Sequence, residues 1–226
     1  MNRGWLRLEP DLLLERWNEV RAAGPGRNVH IPVVALLTTV LPLAVGIWSR
    51  SVFGSIPATV GRSFGWSVEL FAAGEIWRVF TAIPITRDPF MLGGMVLSLL
   101  LAVGGLEYLA GRWRAALMFV YGAVGGYVGV TLGVLLLRGL GLPAAQQWAR
   151  TLDYGASAGV AACSAAMVVL IGRRSVVLLG VAVIIGGLVL HHQVADWEHA
   201  FSFASAAMIT YATTRRSAST TSTAPG

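Results

Sequence analysis

The sequence predicts an all-α membrane protein, a six-transmembrane-helix bundle with an interfacial first loop. Three observations lead there. First, 55% of the 226 residues are hydrophobic and only 12% are charged, about half the charge of a typical soluble domain; the mean hydropathy is +0.67. Second, the apolar residues gather into runs of membrane-crossing length. Third, all 17 basic residues are arginine and they sit at the ends of those runs. That placement excludes the nucleic-acid reading that a pI near 10.4 would invite, because binding a phosphate backbone needs basic groups on one soluble face. A basic complement without lysine points to GC-rich coding and a bacterial source.

Residues 1–29 form an expected cytoplasmic N-terminal segment. Within it, Glu9–Ala22 has the spacing of an amphipathic helix, with Leu12, Leu13, Trp17 and Val20 near one face, ended by Gly24-Pro25-Gly26. It suits the inner membrane surface or a soluble cap on the membrane domain. The charged stretch before the first apolar run exceeds a signal peptide's n-region, so no cleavable signal is expected. The membrane domain covers 30–213. Its first span is Ile31–Trp48. The loop Ser49–Asp88 follows, rich in aromatics but without a run long enough to cross; Trp and Phe rings suit the interface. The second span is Pro89–Ala110, the third Ala115–Leu137, the fourth Gly155–Ile171, the fifth Ser175–Leu190 and the sixth Trp197–Thr213. Residues 214–226 form an expected disordered cytoplasmic tail, Ser/Thr-rich from Ser217.

Arginine sets the orientation. Five arginines precede the first span. Arg112 and Arg114, Arg173 and Arg174, and Arg215 and Arg216 then fall on the same side of a six-span protein. Both termini are therefore expected in the cytoplasm of a multi-pass bacterial plasma-membrane protein. Spans four and six start from the outer face, which sets Ser157 and His199 at one depth just inside it. The arginine rule uses neither residue, so the agreement is independent.

Small residues recur at helix-contact spacing: Gly122, Gly125, Gly126, Gly129 and Gly133 on span three, and Ser157, Ala158, Ala161, Ala162, Ala165 and Ala166 on span four. Close backbone approach holds helices together in lipid. On span six Ser202 and Ala206 keep the side below His199 small, so that span six can press on span four and bring the imidazole to the hydroxyl. A serine and a histidine so placed can cleave a peptide bond: neutral His199 takes the Ser157 proton, Oγ attacks the carbonyl, and the imidazolium protonates the leaving amine. Asp196 and Glu198 flank the histidine, but sequence neighbours on a helix do not face each other. Ser164 lies about 10 Å deeper at helical rise. Cys163, inside a span, reads as a packing residue. His191, His192, Asp196 and His199 could ligate zinc, but no second ligand set stands on other spans; no metal and no cofactor are expected.

Four stretches carry a family resemblance. They are Glu75-Ile76-Trp77-Arg78-Val79-Phe80-Thr81 in the first loop, Leu106-Glu107-Tyr108-Leu109-Ala110-Gly111-Arg112-Trp113-Arg114 after span two, Gly155-Ala156-Ser157-Ala158, and Glu198-His199-Ala200-Phe201-Ser202. In order and spacing the chain resembles the rhomboid family of intramembrane serine proteases, in a divergent, actinobacterial-type branch. The resemblance covers about residues 30 to 213. It implies catalytic Ser157 and His199 acting without a third carboxylate, and a nucleophile and oxyanion box of Gly155, Ala156 and Ala158. It further implies that Trp77 and Arg78 pin the first loop into the interface and that Glu107 with Arg112 or Arg114 clamps the inner turn, by ion pair or by hydrogen bonds to backbone. Ala158 and Ser202 replace two of the family's glycines. Phe90 and Gly94 stand where the family has a histidine and an asparagine that help hold the oxyanion, and Ala161 where it has an aromatic ring against the histidine. The oxyanion would then rely on backbone N–H groups.

The expected function is that of an intramembrane serine endopeptidase cutting single-span membrane proteins near their outer boundary, with transmembrane substrates or clients and the bilayer as partners and no nucleic acid. The alternative is a pseudoprotease that binds transmembrane segments without cutting them. Transport is disfavoured, because the span centres are nearly free of charge.

Overall fold

The computed structural model describes residues 31–172, 174–190 and 193–221. The expected amphipathic helix Glu9–Ala22 lies outside them. The described residues are all-helical, without strands. Six main helices fall on the six apolar runs: α1 (Val33–Trp48), α5 (Pro89–Ala110), α6 (Arg112–Gly139), α8 (Ser157–Ile171), α9 (Arg174–Leu190) and α10 (Val194–Thr221). Among the described residues, two of them, α5 and α6, are long and apolar enough to cross a membrane; α1, α8 and the segment Leu178–Gly187 are shorter apolar helices. Helix α10 continues to Thr221, so residues 214–221 of the expected disordered tail are helical. Residues 222–226 lie outside the described part.

The loop 49–88 is a folded cap with three short helices, α2 (Ala58–Phe64), α3 (Val68–Ala72) and α4 (Arg78–Ala82). Its ends are tied by a buried Ser51–Thr86 hydroxyl pair at 2.9 Å and by Ile56 N–H donating to the Arg87 carbonyl at 2.8 Å. Ser67 caps α3, accepting from Leu70 N–H. A further short helix, α7 (Pro143–Arg150), fills the loop 138–154. It buries Ala145 and Ala149 in one cluster with Trp66, Tyr127 and Val194.

Helix α5 starts on a strong signal. Asp88 accepts the Met91 N–H at 2.8 Å and Pro89 takes the first helical position. Midway, Leu99–Val103 widens into a π-helical turn whose Leu99 and Val103 are fully buried. Glu107 on the last turn of α5 reaches the start of α1, where its Oε2 accepts from Val34 N–H at 2.9 Å and Ala35 N–H at 3.2 Å. A helix start leaves such N–H groups without intrahelical partners and favours negative charge. Of the two expected ways Glu107 could clamp the inner turn, these bonds are of the backbone kind, and they run to α1.

Helix α6 is the central post. A Cβ added at Gly122 would collide with Ala158, Gly159 and Ala162 of α8. At Gly126 it would meet Glu198 and Ser202 of α10 together with Ala158, and at Gly129 the Phe201 ring. These three glycines let α8 and α10 press on α6. Gly133 faces open space and Gly125 meets only Tyr121 of its own helix, so they do not serve the contact. Ser202 turns to α6, donating to the Gly122 carbonyl at 3.1 Å, while Ala206 packs with Ala162 and Ala165 of α8. The small side of α10 therefore serves both neighbours.

Candidate active site

The chain enters α8 through a segment held from three directions. Trp66 N–H donates to the Asp153 carbonyl at 3.0 Å and Asp153 N–H returns to the Trp66 carbonyl at 2.8 Å, an isolated antiparallel bridge. Gly155 N–H donates to Ala82 O at 3.0 Å, and the Tyr127 hydroxyl approaches Gly155 O at 3.4 Å. The fully buried Trp66 ring lies against that same Tyr127 at 4.6 Å between centroids. Gly155 adopts φ +117°, a region that L side chains rarely enter. A Cβ there would also stand 3.0 Å from the Cε atoms of Met91 and Met95. The positive φ is what calls for glycine in the Gly-Ala-Ser-Ala stretch; the two methionine tips would have to move aside for a side chain.

Ser157 is the first residue of α8. His199 sits on the second turn of α10, whose start is fixed by Gln193 N–H donating to Asp196 Oδ2 at 2.9 Å. His199 Nε2 and Ser157 Oγ are 2.7 Å apart. With the imidazole proton on Nδ1, Nε2 accepts from the hydroxyl, the geometry a general base needs toward its nucleophile. Both residues are partly exposed, whereas Ala156, Ala158 and Gly159 around them are buried. Val160 N–H to Ala156 O, at 3.0 Å, is the first hydrogen bond of α8. The N–H groups of Ser157, Ala158 and Gly159 precede it and point out of the helix start, where an oxyanion would be held.

Phe90 is 92% exposed and Gly94 has open space where a side chain would be. Neither offers a donor. The α5 groups beside Gly155 are the Met91 and Met95 thioethers, which donate no hydrogen bond. Ala161 brings no ring to the histidine. Among the described residues no three possible metal ligands come together; His191 and His192 lie outside them.

The remaining expected residues lie apart from this pair. Arg78 is 8% exposed. Its Nε donates to Glu75 at 2.6 Å, one terminal N–H group reaches the carbonyls of Arg62 (2.8 Å) and Gly65 (3.0 Å), and its guanidinium stands 4.8 Å from the Trp77 ring centroid. Thr81 adds a bond to Phe64 O at 3.0 Å. The stretch Glu75–Thr81 thus clasps the first loop onto itself, with Ile76, Trp77 and Phe80 turned outward. Arg112 and Arg114 are exposed at the head of α6. Reading the sequence alone missed Trp66, Tyr127 and Asp153 as supports of Ser157. Their partners are far away in the chain, and only the aromatic character of the loop hinted at a packed cap. Comparison with protein-family models, with curated proteins and with solved structures gives no match to this chain.

Proposed function

We propose that the chain is an intramembrane serine endopeptidase in which Ser157 is the nucleophile and His199 its general base, acting on single-span membrane proteins near the outer face of a bacterial plasma membrane. The observation that carries this reading is the 2.7 Å separation of Nε2 and Oγ between residues 42 apart in sequence. In the reaction the Ser157 proton passes to Nε2 as Oγ bonds to the carbonyl carbon. The imidazolium returns it to the amine as the C–N bond breaks, and water then releases the acyl group by the same route. The N–H groups at the start of α8 receive the oxyanion.

The same proposal takes the six main helices as six spans with both termini inside. Supporting this, many large apolar residues face outward, among them Leu37, Leu101, Leu117, Leu132, Leu179 and Val183, each more than half exposed; a soluble surface rarely carries so much. The positions of the arginines supply the orientation.

A second reading, a pseudoprotease that binds transmembrane segments, is favoured by one observation: Phe90 and Gly94 bring no side-chain donor toward the oxyanion. Loss of one such donor costs roughly 10²–10³ in rate in soluble proteases, which slows an enzyme without abolishing it. A fluorophosphonate probe on the purified protein separates the two. The enzyme reading expects labelling that disappears in Ser157→Ala and in His199→Ala. A folded wild type that takes no label leaves the binder as the function.

A further inference from the structure

Between α6, α7 and α10 lies a groove of about 240 Å³, lined by Gly133, Val134 and Leu137 of α6, Trp148 of α7, and Trp197 and Phe201 of α10 among others. No charged residue lines it. At one end the Phe201 ring lies on the bare face of Gly129. At the other Trp148 and Trp197 pair, with ring centroids 6.4 Å apart at 51°. From Gly129 to Leu137 the groove follows about 12 Å of helix, so its volume leaves a cross-section of about 20 Å². A helix with its side chains is about 10–12 Å across and is several times too wide. A single polymethylene chain, touching its neighbours at about 4 Å, fits. Leu132 and Leu136 on the adjoining side of α6 are 64% and 65% exposed, and Trp197 and Phe201 are half-exposed. The groove is therefore continuous with the outward apolar surface that the six-span reading gives to the bilayer.

Polarity changes along its length. Arg138 follows Leu137 on the last turn of α6 and is exposed, and no carboxylate pairs with it among the described residues. Arg150, at the end of α7, is 70% exposed and stands 3.7 Å from the Glu69 carboxylate. Tryptophan rings favour the level of lipid headgroups, and arginine complements a phosphate. Apolar depth, a tryptophan pair and then free positive charge is the order of parts in a phospholipid. We propose that this groove binds one acyl chain of an outer-leaflet phospholipid, with the Trp148–Trp197 pair at headgroup level and Arg138 toward the phosphate. The proposal rests on the six-span reading and its orientation. Trp197 and Phe201 stand two positions either side of His199, and so on nearly the opposite side of α10. The bound chain braces α10 from the side away from Ser157.

The test uses the full chain in lipid-free detergent, titrated with phosphatidylglycerol brominated on one acyl chain, which quenches nearby tryptophan. Quenching should saturate, and Trp148→Phe with Trp197→Phe should remove the saturable part. Gly133→Leu places a side chain where nothing stands in its way and should weaken binding about tenfold, the worth of two buried methylenes. Arg138→Gln should weaken it about fivefold, and it decides the matter where Gly133→Leu does not fold. Quenching that climbs without saturating, or that saturates alike in wild type and both variants, overturns the proposal. So does a single-span peptide that displaces the lipid mole for mole, which gives the groove to a protein segment. Lipid binding lost as protein concentration rises gives it to a second copy and overturns the proposal too. Saturable lipid binding in a protein whose serine takes no fluorophosphonate counts against the protease and leaves the lipid site standing. Labelling of Ser157 without lipid binding removes the lipid site alone.

Discussion

At the scale of single residues, the geometry concentrates strain at a few positions. Gly155 combines a positive φ with two methionine tips at the place of a side chain. Gly155→Ala is expected to destabilise the fold by about 1–3 kcal/mol and to reduce probe labelling of Ser157 more than a loss of stability alone would explain. Denaturant titration alongside labelling at a temperature where both proteins are folded checks this. The serine and histidine were legible in the sequence because each opens an apolar run and the arginine pattern predicts both on one face. Glu198 was not. It is buried against Gly126 because α10 packs on α6, a contact that its sequence neighbours do not reveal. Glu107 taught the same lesson: two of its bonds reach Val34 and Ala35 across the bundle, partners far from it in sequence.

At the scale of elements, apolar runs translated directly into helices. A long apolar run satisfies nearly all its backbone hydrogen bonds internally as a helix wherever it lies, so α1, α5, α6, α8 and α9 fell close to the expected bounds, whereas α10 runs on past Thr213 to Thr221. The short helices α2, α3, α4 and α7 were invisible, because five to eight residues give too little periodicity to read and are held by tertiary contacts. Capping can be tested at α5. The Met91 N–H donated to Asp88 holds that carboxyl below its ordinary value of 3.8. A folded value below the unfolded one adds stability that is present above about pH 4 and is lost as pH falls through the folded value. Asp88→Ala should therefore lower the melting temperature at neutral pH, and the gap to wild type should close on acidification. A gap that is constant with pH would assign the effect to something other than the ionised cap.

At the scale of the whole molecule, the bundle is arranged around α6, with α8 and α10 on its glycine face and the first loop lying over the start of α8. The proposed orientation makes a concrete demand in intact cells. In a Cys163→Ser background, a thiol reagent that does not cross membranes should label Gly54→Cys and Leu140→Cys directly. Both positions are open in the structure. Trp113→Cys, also exposed, should label only after the membrane is breached. The reverse pattern would invert the protein and move Ser157 to the inner face. The π-helical turn at Leu99–Val103 has a consequence for this whole arrangement. It stores one surplus residue between the two working ends of α5, where Met91 and Met95 border Gly155 and Glu107 holds the start of α1. One residue of helix is about 100° of rotation and 1.5 Å of rise. Shorten the turn by the outward-facing Leu101 and the helix regularises, but its two ends can no longer face their partners together. The bulge works as a phase adjuster, setting the first half of α5 for the serine while the second half stays locked to its neighbour.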